Sequence, residues 1–354
     1  MALPETHELD PDLLYMFVLG PCKGETVLLR VPPDHWMVID SFEAGRTRRP
    51  AAEAIITRYG GRVEVLTLTH PHADHFEGFI DLIDRYNEAI LGCVYPRDSR
   101  GTRDLSADPI TLLKEGAKPA YTRIWDEWEQ DHARRQTTFR GDEWNIGDAR
   151  VTSLHPVRPV DPVQWSDDPN TISSAMLVEW NDLRLLLGAD VPSSEWPGIA
   201  EAFPFPGLNH HAAMKVPHHG SREAIHPSYG DGDPGRFWVV TPFYLQRLPR
   251  HEDSNSRGDK EGLIQVLSFV DRVYLTALPF RHDSESDEPV ITTRQSLMRG
   301  DHPGKTGERP ASLLETDAAL DRQLVIGFTP DGAVAQVWYG PGSVRVTSEE
   351  SRVS

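Results

Sequence analysis

Residues 62–75, RVEVLTLTHPHADH, join an apolar, β-branched run directly to His70, His72, Asp74 and His75. The run Val63 to Thr69 predicts a strand, and the following EGFIDLIDRYNEAI sets Phe79, Ile80, Leu82 and Ile83 at helical spacing. The histidine cluster therefore lies in a strand-to-helix loop. In His70-x-His72 two imidazoles share one side of an extended backbone, and neutral imidazole with carboxylate suits Zn²⁺, Mn²⁺ or Fe²⁺. One ion can be gripped there, with Asp74 and His75 on the turn beyond facing a second.

Such a loop is incomplete alone, so other strand ends must supply further ligands. Leu185-Leu186-Leu187-Gly188-Ala189-Asp190 ends a buried-type strand in a carboxylate placed to bridge two cations. Lys215-Val216-Pro217-His218-His219-Gly220-Ser221 ends another in paired histidines, and Leu154-His155-Pro156 ends a third. Around them, Tyr15 to Leu19, Glu25 to Val31 and Trp36 to Asp40 predict an opening meander. Ala51 to Tyr59 reads as a helix, and Leu324 to Phe328 with Ala333 to Tyr339 as a hairpin. Alternating strands and helices in two similar halves predict two face-to-face sheets with helices outside.

At 354 residues, 38% apolar, with 27 Gly and 29 Pro, the chain suits one large α/β domain over 1–345 with a disordered tail at 346–354. Residues 95–145, rich in charge and poor in β-branched side chains, read as an insertion. Its helix RIWDEWEQDHARR holds Trp125 and Trp128 as core more readily than as base-stacking platforms. A polar loop is expected at about 281–310. No apolar run reaches membrane-spanning length and the acidic start lacks a signal pattern, so a cytoplasmic protein without membrane contact is expected. Cys22 and Cys93 read as reduced thiols. The net charge of −18 disfavours polyanions in general. Nucleic-acid contact would need a local patch, such as Arg46, Arg48 and Arg49 or Arg134, Arg135 and Arg140. His210 and His211 read as a helix cap or surface pair, and Lys215 as a snorkelling side chain or a phosphate contact.

HxHxDH followed by a strand-ending Asp and a strand-ending His resembles the metallo-β-lactamase superfamily. MFVLGPCKGETVLLR before Asp40, SLHP, Asn170 to Ser174, LLLGAD and VPHHGS resemble its competence-protein, ComEC-type nuclease branch; the resemblance covers roughly residues 13 to 280. It implies a four-layer αββα sandwich holding two divalent ions, Zn²⁺ or Mn²⁺. His70 and His72 would bind the first, Asp74 and His75 the second, with Asp190 bridging and His218 completing the second site. Asn170 or His155 would fill or neighbour the remaining place at the first. Asp40 would orient a ligating His through its far nitrogen, and His219 would meet substrate or leaving group, with Ser221 also against substrate. Three features depart from the branch. GPCKGE stands where it shows GQGD, RLPRHED with His251 stands where it shows a histidine-proline motif, and the Trp-containing region has no counterpart.

The chemistry expected of two such ions is activation of a shared water and clamping of an in-line displacement. Phosphodiester hydrolysis of DNA or RNA fits, with Asp74, His219 and Lys215 as catalytic side chains and His218 as a further proton donor. The alternatives are hydrolysis of a small ester (cyclic nucleotide, phosphorylcholine ester, lactone or β-lactam) and a non-catalytic regulatory subunit. An activating protein partner is also plausible.

Overall fold

The computed structural model describes residues 8–20, 24–44, 49–93, 116–157, 168–203, 208–229, 236–243, 266–270, 272–277, 290–293, 323–340 and 343–347. The first part of the chain forms β1 (Leu14–Leu19), β2 (Thr26–Val31), β3 (His35–Ile39) and a short ribbon of β4 (Glu43–Ala44) and β5 (Arg49–Pro50). Then come α1 (Ala51–Tyr59), β6 (Arg62–Leu68), α2 (Ala73–Phe76), α3 (Phe79–Arg85), β7 (Ile90–Cys93), α4 (Lys118–Gln130) and β8 (Arg135–Thr137). The second part forms β9 (Glu143–Ile146), β10 (Ala149–Ser153), β11 (Met176–Trp180), β12 (Leu183–Leu187), α5 (Trp196–Ala202), β13 (Ala213–Lys215), β14 (Phe237–Val240) and β15 (Arg272–Leu275). Last are β16 (Val290–Thr293), β17 (Gln323–Phe328), β18 (Val334–Tyr339) and β19 (Val344–Thr347).

One sheet runs β18-β17-β1-β2-β3-β6-β7-β8, the other β16-β19-β15-β14-β13-β12-β11-β10-β9. β1 shows how the layers arise. All six of its residues are buried, and their period-two alternation sends successive side chains to opposite faces. Leu14, Met16 and Val18 join Val151, Met176, Val178 and Leu185 in the core between the sheets. Tyr15, Phe17 and Leu19 instead pack with Ile55, Ile56, Leu82, Tyr121 and Trp128 in the core beneath the helices. The far face of the second sheet buries Leu186, Met214 and Trp238 against Trp196 and Ile199. The result is the α/β sandwich of two mixed sheets with helices outside.

The parallel neighbours β3, β6 and β7 and the parallel neighbours β12, β13 and β14 carry the expected chemistry-bearing strand ends. The strand ends bearing Asp40, His70, Asp190 and His219 come together at one edge of the sandwich, in the crevice outside carboxyl ends that open α/β sheets reserve for ligands.

Several expectations change. The described part of the insertion expected at 95–145 is built into the first sheet: α4 buries Ala120, Tyr121, Ile124, Trp125 and Trp128, and β8 then adds to β7 in parallel. The segment is a strand-helix-strand crossover of the first sheet whose polar face conceals its apolar one. Val346 and Thr347, assigned to the tail, pair with Val273 and Arg272. His211 is neither cap nor surface: it is buried, with Nδ1 donating to Leu208 O at 2.6 Å and Nε2 accepting from Trp238 Nε1 at 3.0 Å. Cys93 is a buried thiol outside any disulfide. Arg134 is buried and paired with Glu127, so it offers nothing to a polyanion. Cys22, Arg46, Arg48, residues 95–115, His251, nearly all of 281–310 and residues 348–354 lie outside the described residues.

Candidate metal centre

The site is built from Asp40 outward. Immediately after β3, Asp40 adopts φ 58°, and its carboxylate is filled by three donors. Oδ1 accepts Thr69 N–H at 2.7 Å, and Oδ2 accepts the Thr69 hydroxyl and His75 Nδ1–H, both at 2.7 Å. The Thr69 hydroxyl has one proton, given to Asp40, so at His70 Nδ1, 3.0 Å away, it can only accept. Both His70 and His75 thereby keep Nδ1 protonated, so Nε2 is the nitrogen that can ligate when the ring is neutral. His219 follows the same logic, donating from Nδ1 to Thr241 O at 2.8 Å. A fixed far-nitrogen bond is how proteins set the tautomer of a ligating imidazole.

These Nε2 nitrogens converge on Asp190, which follows β12 and Ala189 at φ 44°. Asp190 Oδ2 lies 3.6 Å from Nε2 of His70 and of His75, and 4.0 Å from Nε2 of His218 and of His219. Asp74 Oδ2 is 3.0 Å from His219 Nε2 and 3.7 Å from His75 Nε2. His70 Nε2 and His72 Nδ1 meet at 3.0 Å. Gly188 makes this closure possible, since a Cβ there would stand 2.4 Å from the Pro217 ring. Of the five described non-glycine residues at positive φ, four belong here: Asp40, Ala189, His218 and His219. Left-handed strain of that kind persists where surrounding contacts over-determine it.

The paired histidines sit in different surroundings from those expected. His219, meant for substrate, is the buried ring grouped with Asp74 and His75, their ligand atoms all within 4.8 Å. His218, meant to complete that set, is the more exposed ring, its side chain 16% accessible. The tandem left-handed backbone turns the second ring, not the first, toward the first sheet. His155 and Asn170 join none of the metal-type groups among the described residues. His155 donates from Nδ1 to Ser173 O at 2.8 Å and faces Glu195 at 3.5 Å. Asn170 lies in the short turn Pro169–Ile172, its buried Oδ1 without a hydrogen-bond partner. That segment contributes Ser173, whose Oγ accepts from Asp190 N–H at 2.8 Å and lies 3.3 Å from His70 Nδ1. Ser221 caps the turn Arg222–Ala224 by accepting from Glu223 N–H, which gives it a structural task.

Lys215 does not reach toward phosphate. It is 1% exposed, with Nζ 2.7 Å from Glu25 Oε2. Sequence reasoning passed over Glu25; its signal was an acidic residue placed directly before the fully buried run of β2.

Electrostatics follow the crowding. Burial works against ionised Asp190, but His75, His218 and His219 outweigh it and hold the carboxyl well below its usual range. Burial likewise opposes ionised Asp74, yet His75 and His219 bring it to about 2. His75 and His219 are raised despite burial, chiefly by Asp190. His70 is pushed well below the ordinary imidazole value, by burial first and by His75 next.

The residues fit divalent cations. His75 Nε2 and Asp190 Oδ1 are two of the buried side-chain atoms without a hydrogen-bond partner among the described residues, and both face the cluster, where leaving a polar atom unpaired costs about 1–3 kcal/mol. In the neutral ring, with Nδ1 protonated, His219 Nε2 would present a lone pair to Asp74 Oδ2 at 3.0 Å, a contact that either a proton on Nε2 or a cation satisfies. His70 and His72 offer one set of nitrogens, and Asp74, His75 and His219 a second. Asp190 lies between them.

Two mixed sheets with a histidine-carboxylate cluster at their gathered strand ends make a candidate metal centre. Residues 19–140 match the family model of the metallo-beta-lactamase superfamily. No curated protein matches. Among solved structures, the chain is similar to CmlA, a diiron beta-hydroxylase from Streptomyces venezuelae, at 14% identity and TM-score 0.35, over 59% of this chain and 35% of that one. It is also similar to Igni18, a metallo hydrolase from Ignicoccus hospitalis, at 10% identity and TM-score 0.37, covering 65% and 82%. MEM-A1, a subclass B3 metallo-beta-lactamase from a soil metagenome library, overlaps at 14% identity and TM-score 0.35, covering 58% and 78%. These overlaps are loose; the fold assignment rests on the two sheets and on the matched segment.

Proposed function

We propose that this protein is a metal-dependent phosphodiesterase acting on DNA or RNA, of the kind found in the ComEC-type branch. The observation that carries the reading is the ring of four imidazole nitrogens within 4.0 Å of one carboxylate oxygen, Asp190 Oδ2. Divalent cations bound there would supply Lewis acidity toward a phosphoryl oxygen and acidify a water. Asp40 and Thr241 hold the His75 and His219 rings in place, and Ser173 fixes the Asp190 backbone. His218, on the more open side, is the imidazole able to give a proton to a leaving oxygen. SLHP, LLLGAD and VPHHGS support the branch.

A second reading, hydrolysis of a small ester, gains from the burial of Lys215, which withdraws from substrate the cation that the sequence offered to a phosphate. The net charge of −18 weighs the same way.

The test is Mn²⁺- and Zn²⁺-dependent cleavage of labelled single- and double-stranded DNA and RNA by wild type beside Asp190→Ala. Cleavage by wild type, abolished in the variant, is the expected outcome. Two ions bound without cleavage of any polynucleotide would overturn the nuclease reading, and a panel of small diesters and lactones would then decide for the second. Inactivity there too, with ions bound, would favour a regulatory subunit or a missing activating partner.

A further inference from the structure

We propose that Glu25, Lys215 and Thr241 form a buried brace that positions His219 against Asp74 and His75, and so sets the cation affinity of that second ligand set. Lys215 serves it as a counter-charge and makes no contact with substrate. The proposal rests on the metal reading of the site given above.

The ammonium group of Lys215 has three protons to donate and three acceptors already placed. Nζ lies 2.7 Å from Glu25 Oε2, 3.0 Å from Glu25 Oε1 and 3.1 Å from Val216 O. Both side chains are almost wholly enclosed, Lys215 at 1% and Glu25 at 2% exposure. Glu25 Oε2 also accepts the Thr241 hydroxyl and stands 3.3 Å from His219 Nδ1. Its Oε1 lies 4.0 Å from His75 Nδ1. The carboxylate thus sits behind both imidazoles of the second set, on the side away from their ligating nitrogens.

The brace also crosses between sheets. Glu25 directly precedes β2 of the first sheet, and its backbone N–H donates to Asp74 O at 3.0 Å. Gly24 is pressed so closely there that a Cβ would fall 2.6 Å from Phe42 Cβ and 2.9 Å from Asp74 O. Lys215 and Thr241 end β13 and follow β14 of the second sheet. Asp74 and His75 come from the first sheet and His219 from the second, so their spacing depends on a link beneath them. The Glu25–Lys215 pair supplies that link. An outer partner of this sort typically moves metal affinity by about 10–100-fold. A buried pair is harmed more by loss of one member than by loss of both, because one deletion strands a charge.

The experiment is a stepwise Zn²⁺ titration of the metal-stripped full chain against a chelating indicator, giving two affinities, with circular dichroism and melting temperature alongside. Glu25→Gln and Lys215→Met should each weaken one of the two steps by about 10–100-fold, leaving the other within about threefold. The double variant should recover part of the loss. Thr241→Val, which removes the hydroxyl and keeps the carbonyl that His219 uses, should weaken the same step several-fold, and it decides the matter if the charge variants do not fold. Unchanged affinities in every folded variant, or both steps falling together with the melting temperature, would overturn the brace. Wild type that takes up no ion would overturn the metallohydrolase reading and the brace with it; ions bound with affinities indifferent to these substitutions would end the brace alone.

Discussion

Asp40, Thr69 and Thr241 do no chemistry, yet they decide what His70, His75 and His219 can do, because each imidazole has its far nitrogen committed. The raised pKa values of His75 and His219 mean that protons compete with a cation for them up to a higher pH than for an ordinary imidazole. Zn²⁺ affinity should therefore climb between pH 6 and pH 8, measurable as proton release in calorimetry. In the metal-free protein the stability from these two groups is complete below their ordinary value of about 6.5 and is lost as pH rises through the raised values. Asp74 acts in the opposite sense: its contribution is present above the ordinary 3.8 and lost as pH falls through about 2. The two histidines of VPHHGS should also part company. His219→Ala is expected to lose an ion, read by metal analysis, whereas His218→Ala should keep both ions and lose about 10²–10⁴ in kcat if it donates the leaving-group proton. The HxHxDH cluster was legible in the sequence because its geometry is local to one strand end. Glu25, Ser173 and the order of His218 and His219 were not, because each depends on how the second sheet meets the first.

At the scale of elements, α4 is the instructive case. Its charged residues and lack of β-branching made 95–145 look like an addition, yet Tyr121, Ile124, Trp125 and Trp128 lie along one buried stripe. Trp128 donates from Nε1 to Leu91 O at 3.0 Å, tying the helix to β7. Trp128→Ala should cost about 3–5 kcal/mol through the cavity and the orphaned carbonyl, seen as a lowered melting temperature in the metal-free and metal-loaded protein alike. The opening meander, α1, β6 and the closing hairpin could be read from alternation and turn residues. The crossover through α4 and β8 could not, since only the parallel pairing of β8 with β7 identifies it, and pairing is a tertiary fact.

For the molecule as a whole, the cluster gathers ligands from both sheets, so filling it should reinforce the whole sandwich rather than one loop. A ligand at about one hundred times its Kd adds about 2.7 kcal/mol to a native state that alone binds it. Zn²⁺ should accordingly raise the melting temperature, and a chelator should reverse the rise; Asp190→Ala should respond weakly to both. The pairing of β1 with β17 carries a different implication. Leu14 lies opposite Phe328, so the first described strand must wait during synthesis for one of the last described ones before its open edge is closed. Until then β1 offers unpaired amides and a row of apolar side chains to any passing chain. Synthesis of this protein should therefore lean on chaperones more than its size suggests, and a nascent chain arrested before residue 323 should aggregate even though every residue around Asp190 has already been made.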